Sequence, residues 1–254
     1  MTTSNDEMVI VLTGANKGIG YHMLTTLVED NHRIAALDIT GDNVRDVRDD
    51  YPSQVRYYKC DVASTEDVNT TVSKIIDQWS RIDILINNAG VARISSFQER
   101  SPADTRHEFE VNFFGYHRLI RAVLPHMLEQ GTGIIHNMGS GTADTGHPGL
   151  SGYSATKGAI KAFIRSLQLE LRYTDVSCTL MIPPSTNTRM IADLKYPEWM
   201  TVDPEEVGRK LATQIHSTKP VITPDLKTTV GLSLMRRSPS LWRRMMAGVV
   251  ENPE

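Results

Sequence analysis

The chain has 254 residues, of which 40% are apolar, and a formal net charge of −3. That size suits one large domain spanning 1–254, and the near-neutral charge gives no reason to expect a nucleic-acid partner. No apolar run approaches the roughly 18 residues of a membrane span, and the polar start has no leader pattern, so we expect an unprocessed cytoplasmic protein. Cys60 and Cys178 are expected to be buried thiols rather than a disulfide.

Short apolar runs alternate with helical segments along the whole chain. They are rich in Ile, Val and Leu without strict alternation, which is typical of strands covered on both faces. The predicted strands are Val9 to Thr13, Arg33 to Asp38, Val55 to Cys60, Asp83 to Asn87, Gly133 to Met138, Val176 to Ile182 and Pro220 to Thr223. The pattern predicts an α/β fold, a doubly wound parallel sheet (Rossmann fold) in three α/β/α layers.

Helix ends are marked by capping residues and proline. Ser101-Pro102 and Asp203-Pro204 each predict an N-cap followed by a proline in the first helical turn. Gly131 is predicted to end one long helix that begins at Pro102.

A glycine-rich turn follows the first predicted strand, as Thr13-Gly14-Ala15-Asn16-Lys17-Gly18-Ile19-Gly20. Its glycines let the backbone approach a pyrophosphate at a helix N-terminus, although a glycine triplet alone is also compatible with a plain tight turn. Asp38 closes the second strand, where a carboxylate accepts hydrogen bonds from ribose hydroxyls and repels a 2'-phosphate. We therefore favour NAD(H). Lys17 could contact such a phosphate, so NADP(H) stays open.

Polar residues also follow the next two strands. Asp61, with Val62 after it, could bond the adenine amino group, and Asn88-Ala89-Gly90 offer amides near the adenosine. Each is compatible with ordinary turn chemistry, but the carboxyl ends of successive strands are where doubly wound sheets bind ligands.

Tyr153 and Lys157 lie one helical turn apart on one face. The lysine ammonium is expected to lower the phenol's pKa from near 10, so that Tyr153 exchanges a proton with a substrate oxygen. Ser140, after the fifth strand, could orient a carbonyl, although chemistry alone does not separate it from Ser151. A serine hydrolase is disfavoured because no Gly-x-Ser-x-Gly elbow surrounds either serine.

These motifs, in order and spacing from about residue 8 to 190, resemble those of the single-domain branch of the short-chain dehydrogenase/reductase family. The resemblance implies a catalytic tetrad of Asn112, Ser140, Tyr153 and Lys157, in which Asn112 holds a water that links Lys157 to solvent. The expected cofactor-binding residues are Gly14, Asn16, Lys17, Gly18, Ile19, Gly20, Asp38, Asp61, Val62, Asn88, Ala89, Gly90, Tyr153, Lys157, Pro183 and Thr188. Two positions depart from the family pattern, because Gly139 stands where serine is usual and Pro184 where glycine is usual.

The resemblance implies an NAD(P)(H)-dependent oxidoreductase that interconverts an alcohol and a ketone or aldehyde, working as a homodimer or homotetramer. A non-catalytic dinucleotide-sensing protein of the same fold is the alternative. A nucleotide-sugar epimerase is disfavoured, since only about 65 residues follow Thr188. No metal is expected.

Two further segments bear on the substrate. The stretch at about 189–202 falls at the lid position and has Met, Leu, Tyr and Trp, which favours a partly apolar small molecule, although ordinary packing explains them equally well. Asp144 and His147, on the opposite wall, could contact the substrate, but solvated loop residues are the favoured interpretation. The basic amphipathic segment at about 226–250 could lie on a membrane surface, but packing within the chain or an oligomer is favoured.

Overall fold

The computed structural model describes residues 7–194, 196–238, 240 and 244. Its strands are β1 Val9–Thr13, β2 Arg33–Asp38, β3 Val55–Lys59, β4 Ile84–Asn87, β5 Gly133–Met138, β6 Val176–Met181 and β7 Val221–Ile222. They form one sheet in the order β3-β2-β1-β4-β5-β6-β7, and every neighbouring pair is parallel. The predicted doubly wound parallel sheet is confirmed.

The observed strands follow the predicted runs closely. β1, β2 and β5 have the predicted bounds, whereas β3, β4, β6 and β7 are shorter by one residue at an end or at both ends. Asp83 lies just before β4, and its carboxylate accepts a hydrogen bond from the Val9 N–H at 2.8 Å.

Helices cover both faces of the sheet. They are α1 Gly18–Glu29, α2 Asp42–Asp50, α3 Thr65–Trp79, α4 Pro102–Phe109, α5 Gly115–Gln130, α6 Thr142–Thr145, α7 Ser151–Glu170, α8 Pro204–Ala212 and α9 Leu226–Arg237. α1 packs against α2 and α8, α5 packs against α3, and α4 packs against α7. Because both faces of the sheet are covered, β1 and β4 are buried along their whole length, as their apolar sequences require.

The predicted long helix is wrong in one respect. Its capped ends are present, with a capping box at Ser101 and a left-handed Gly131 (φ +70°) just after α5. Between α4 and α5, however, lies a π-helical turn, Glu110–Phe114. A π turn adds a residue to the helical ladder and redirects the side chains near it, and here Asn112 is at its centre.

The two cysteines are buried free thiols, as predicted. Burial raises the pKa of Cys60 to about 11 and that of Cys178 to about 12, which keeps both protonated and unreactive at neutral pH.

The C-terminal segment is described only in part. α9 ends two residues before Pro239, consistent with the limits that proline places on the preceding backbone. The rest of the predicted amphipathic segment, including Pro239, Trp242 and Arg243, lies outside the described residues apart from positions 240 and 244. Among the residues described, no helix has both the length and the apolar character that a membrane crossing requires.

Candidate active site

The carboxyl ends of the parallel strands meet at one edge of the sheet, and the predicted site residues gather there. The strand order reverses between β1 and β4, which is where a doubly wound sheet opens a crevice for a ligand.

The glycine turn lies in this crevice, between β1 and α1. Gly14 has φ +65°, and a Cβ there would lie 2.8 Å from the Ala89 Cα. A Cβ at Gly20 would collide with the Gly14 carbonyl oxygen. Lys17 is the exposed N-cap of α1, and its side chain makes no capping hydrogen bond to the amides of this helix N-terminus. The turn thus presents bare backbone, the surface that a pyrophosphate needs.

Thr13 and Asn88 join the turn to the end of β4. The Thr13 hydroxyl accepts hydrogen bonds from the Asn88 and Ala89 N–H groups at 2.9 and 3.0 Å. The Asn88 side-chain amide donates to the Thr13 and Gly14 carbonyls at 3.0 and 3.1 Å. The predicted site did not include Thr13, although its place at the last position of β1 could have indicated that it belongs there.

Asp38 and Asn16 hold the turn against the end of β2. The Asp38 carboxylate accepts from the Asn16 N–H at 3.0 Å and from the Thr40 N–H at 3.1 Å. The Asn16 side chain is buried, and its oxygen accepts from the Asn43 and Val44 N–H groups at 2.9 and 3.2 Å. Asn16 therefore contributes to the site by fixing the turn to the start of α2, while Asp38 stays half-buried at the crevice.

Asp61 and Val62, the two predicted site residues after β3, lie in different surroundings. Asp61 is exposed, and its side chain accepts from the Ala63 N–H at 2.9 Å near the start of α3. Val62 is buried, and a Cβ at Gly115 would lie 2.9 Å from its side chain. Val62 thus packs beneath the edge of the sheet beside the start of α5.

Ser140, after β5, is brought to Tyr153 of α7. The Tyr153 phenol and the Ser140 hydroxyl are hydrogen-bonded, and Ser140 also accepts from the Thr142 hydroxyl at 3.0 Å. Ser151 is exposed at the first position of α7. The structure therefore separates the two serines that sequence chemistry alone left equivalent.

Lys157 lies behind Tyr153, buried within the protein. Its ammonium donates to the Met138 carbonyl at 2.7 Å and to the Tyr116 hydroxyl at 3.4 Å, and lies 5.6 Å from the centre of the Tyr153 ring. Sequence reasoning missed Tyr116, although it stands one helical turn after Asn112 in the chain.

The predicted lowering of the Tyr153 pKa by Lys157 is not seen in this structure. Burial raises the pKa of Tyr153 to about 12, the Ser140 hydrogen bond opposes that rise, and the Glu108 charge adds to it. Burial also lowers the pKa of Lys157 to about 7, so the ammonium is only partly charged near neutral pH. Burial is the largest cause of both shifts, and a sequence does not show how deeply a side chain is buried.

Asn112 is fully buried in the π-helical turn. Its side-chain oxygen accepts from the Val91 N–H at 2.8 Å, and its amide donates to the Val91 carbonyl at 2.9 Å and to the Thr156 hydroxyl at 3.1 Å. Thr156 in turn donates to the Tyr153 carbonyl at 2.7 Å. The side chain thus connects the loop after β4 to the helix that carries Tyr153 and Lys157.

The chain after β6 returns to the glycine turn through Thr188. A Cβ at Gly18 would lie 3.4 Å from the Thr188 methyl carbon, which places Thr188 beside the start of α1. Pro183 and Pro184 are half-buried, and the Pro184 carbonyl accepts from the Thr186 hydroxyl at 2.9 Å. Gly139, the other departure, lies against Leu180, where a Cβ would approach to 3.1 Å.

The segment 189–202, described apart from Lys195, lies over the same edge. A parallel bridge between Thr186 and Val202 pins its two ends together. Met190 lies near Gly90, because a Cβ there would be 3.9 Å from the Met190 terminal carbon. The Tyr196 hydroxyl is hydrogen-bonded to His147 Nε2 in the loop before α7.

The expectation that Asp144 and His147 are solvated is wrong. His147 is 8% exposed and is held by Tyr196. Asp144 is exposed as a residue, but its side chain is 16% exposed and pairs with Lys161 of α7 and with Arg236 of α9, at 2.7 Å for the arginine. Both partners are distant in sequence, so a loop composition alone could not reveal them.

Comparison with known proteins identifies the family. The short chain dehydrogenase family model matches residues 8–199. The chain is 30% identical over 211 residues to 2-(R)-hydroxypropyl-CoM dehydrogenase of Xanthobacter autotrophicus, a match that covers 80% of this chain and 82% of that protein.

Solved structures share the fold at low sequence identity. A short-chain dehydrogenase/reductase from Burkholderia phymatum in complex with NAD has a TM-score of 0.82 and 20% identity, covering 95% of this chain and 97% of that one. A short-chain dehydrogenase from Burkholderia cenocepacia in complex with NADP has a TM-score of 0.81 and 23% identity, covering 95% and 98%. The chain therefore belongs to the short-chain dehydrogenase family, a family of NAD(P)-dependent oxidoreductases.

Proposed function

We propose that this protein interconverts an alcohol and a ketone or aldehyde, on a partly apolar small molecule, by hydride transfer with NAD(H). The convergence of Ser140, Tyr153 and Lys157 beside the glycine turn carries the proposal, because it sets a proton donor next to a dinucleotide cradle. Family membership supports the class of reaction. The positions of these three residues support the role proposed for each of them.

The glycine turn fits a dinucleotide. Side chains at Gly14 and Gly20 are excluded by neighbouring backbone, so the backbone of the turn can be approached closely at these positions. The residues that would hold the cofactor are Gly14, Lys17, Gly18, Ile19, Gly20, Asp38, Asp61, Val62, Asn88, Ala89, Gly90, Pro183 and Thr188, with Asn16 acting through the turn. When bound, a nicotinamide dinucleotide supplies the hydride donor or acceptor.

Asp38 supports a preference for NAD(H) over NADP(H). Its carboxylate is already held in place by two backbone amides, and its oxygens retain the capacity to accept from ribose hydroxyls. A 2'-phosphate at this position would meet the negative charge of the same carboxylate.

Tyr153 is the group that exchanges a proton with the substrate oxygen. With a pKa raised by burial to about 12, it is protonated at neutral pH and so is prepared to donate to a carbonyl oxygen. Ser140, bonded to the same phenol, orients that oxygen. Alcohol oxidation runs the transfer in reverse and needs the charged form of Lys157 to stabilise the phenolate, with Asn112 supporting the helix that carries both.

The segment 189–202 acts as the substrate lid in this proposal. Its ends are fixed by the Thr186–Val202 bridge, while Trp199 within it is 75% exposed. A pinned loop with apolar side chains suits closure over a partly apolar substrate, because excluding water favours hydride transfer. We also infer one domain across the chain and a homo-oligomer, which the exposed Phe114, Leu128 and Leu169 support.

The test is Tyr153→Phe, assayed for NADH-dependent reduction of a panel of ketones and aldehydes. We expect kcat to fall about 10²- to 10⁴-fold, since a positioned acid contributes about that much, while dinucleotide affinity stays within a few-fold. Tyr173→Phe, at an exposed tyrosine, is the matched control and should keep full activity. Full activity in Tyr153→Phe would refute the assignment. Tight dinucleotide binding without turnover by the wild type on any carbonyl would favour the sensing alternative.

A further inference from the structure

A buried ion pair lies under the first turn of α7. The Arg100 and Glu108 side chains are 3% and 1% exposed, and Arg100 Nη1 lies 2.6 Å from Glu108 Oε2. Neither residue belongs to the site inferred from the sequence. Their carboxylate and guanidinium are nonetheless among the most buried charges in the described part of the chain.

The pair joins three segments that border the site. Glu108, on α4, accepts from the Arg93 N–H at 2.7 Å. Arg100 donates to the Arg93 carbonyl and to the Gly149 carbonyl, the latter at 3.3 Å. The loop after β4, the loop before α7 and α4 are therefore held at one point.

The ion pair also contacts the helical turn that includes Tyr153. A Cβ at Gly152 would collide with Glu108 Oε2 and would lie 2.7 Å from Arg100 Nη1, so the backbone one residue before Tyr153 rests on the ion pair. A side chain at position 152 would displace the ion pair.

The charge of Glu108 also reaches the phenol. Among the described residues, the titratable and charged groups that face Tyr153 are Lys157 on its own helix, Tyr116 on α5 and Glu108 on α4, with Arg100 beside Glu108. The negative charge of Glu108 opposes formation of a phenolate, and Arg100 holds the opposite charge 2.6 Å from that carboxylate.

Stability does not explain the pair. Replacing a buried ion pair with apolar residues is often neutral or stabilising, because desolvation offsets the attraction. Arg100 also leaves its Nε without a hydrogen-bond partner among the described residues, which adds a cost. A role at the neighbouring phenol accounts for a charged pair being buried here, although burial costs desolvation and leaves the Arg100 Nε without a partner among the described residues.

We propose that Arg100 and Glu108 are positioning residues, which seat the first turn of α7 and balance the charge beside the Tyr153 phenol. This rests on the proposed function, in which Tyr153 exchanges the proton. The two residues touch neither substrate nor cofactor and act through Tyr153.

The experiment measures kcat/KM for alcohol oxidation against pH in Glu108→Gln and Arg100→Met. Oxidation needs the ionised phenol, so activity rises with pH through the apparent pKa of Tyr153. The rising part of this pH profile is called the limb below. Glu108→Gln removes the negative charge and keeps the side-chain shape, so the limb should shift to a pH about one unit lower. Arg100→Met leaves the carboxylate uncompensated and should move it about one unit toward alkali, because even buried carboxyls ionise by about pH 9.

Arg100→Lys separates charge from geometry. It keeps the positive charge but loses the forked contacts to Arg93 and Gly149, so the limb should stay near its wild-type position while kcat falls several-fold. The matched control is Glu110→Gln, in the Arg118–Glu110 pair, which has the same spacing and the same 2.6 Å separation but is half-exposed. Its limb should not move.

A turnover-independent reading distinguishes failure of this proposal from failure of the proposed function. With carbon-13 at the phenol carbon of tyrosine, the signal absent in Tyr153→Phe reports Tyr153, and it should begin to shift at lower pH in Glu108→Gln than in the wild type. If the wild type turns over but neither the limb nor the signal moves in folded Glu108→Gln, the pair is only structural. If the signal moves but no alcohol is oxidised, the pair does balance the charge and the proposed function fails.

Discussion

Single residues at the crevice combine a local role with a role toward the ligand. Asp38 is the clearest case, since its carboxylate accepts from the Asn16 and Thr40 amides and still faces the crevice. The sequence located this acid correctly at the end of β2, because strand ends and glycine turns are local features. It did not show that Asn16 would be buried and bonded to the start of α2.

Asp38→Ala should weaken NADH binding relative to NADPH. The substitution removes a charged hydrogen-bond acceptor and a source of repulsion toward a 2'-phosphate, so we expect the ratio of the two Kd values to change about ten- to a hundredfold. Dinucleotide fluorescence titration measures both constants. Asp42→Ala, at the exposed acid that starts α2, is the control for loss of negative charge and should leave the ratio unchanged. An unchanged ratio in Asp38→Ala would contradict the NAD(H) preference.

At the scale of elements, the π-helical turn between α4 and α5 has the largest effect on the site. Capping signals at Ser101 and Gly131 made one continuous helix the natural prediction, and both ends were right. The inserted residue could not be predicted, because it is stabilised by contacts of Asn112 with Val91 and Thr156, which lie far away in the chain. Tertiary hydrogen bonds here override local helix propensity.

Asn112→Leu should destabilise the fold by about 2–4 kcal/mol, because it leaves the Val91 amide and carbonyl without their partner. Urea denaturation gives the free energy of unfolding. Asn69→Leu, at an exposed position of α3, is the control and should change stability by no more than about 0.5 kcal/mol. If the two variants are equally stable, the hydrogen bonds of Asn112 do not hold the turn.

At the scale of the whole molecule, His136 ties the sheet to the C-terminal third of the chain. It is fully buried in β5, where Nδ1 lies 2.7 Å from the Thr179 hydroxyl of β6 and Nε2 lies 2.7 Å from the Ile215 carbonyl after α8. The carbonyl can only accept, so Nε2 carries the proton and Nδ1 accepts from Thr179. Burial lowers the pKa of this neutral imidazole to about 4.

This shift makes the stability of the fold depend on pH. The unfolded chain binds a proton at His136 near pH 6.5 and the folded chain only near pH 4, so stability is complete above 6.5 and falls as the pH drops between those values. The loss amounts to about 3 kcal/mol by linkage. His136→Gln should remove this part of the pH dependence in denaturation curves recorded from pH 7 to 4. Since His32 and His147 also have lowered pKa values, the difference between the two proteins isolates His136, and equal slopes would contradict the assignment.

The sequence by itself determined the seven strands, the glycine turn, the acid at the end of β2 and the Tyr153–Lys157 pair, because apolar runs, backbone freedom and helical spacing are local properties of a chain. Only the tertiary structure decided the protonation of Tyr153 and Lys157, the partners of Asn112, and the links from Glu108 to Arg100 and from His147 to Tyr196. Those depend on desolvation and on contacts between distant residues. Both arise only when the chain is folded.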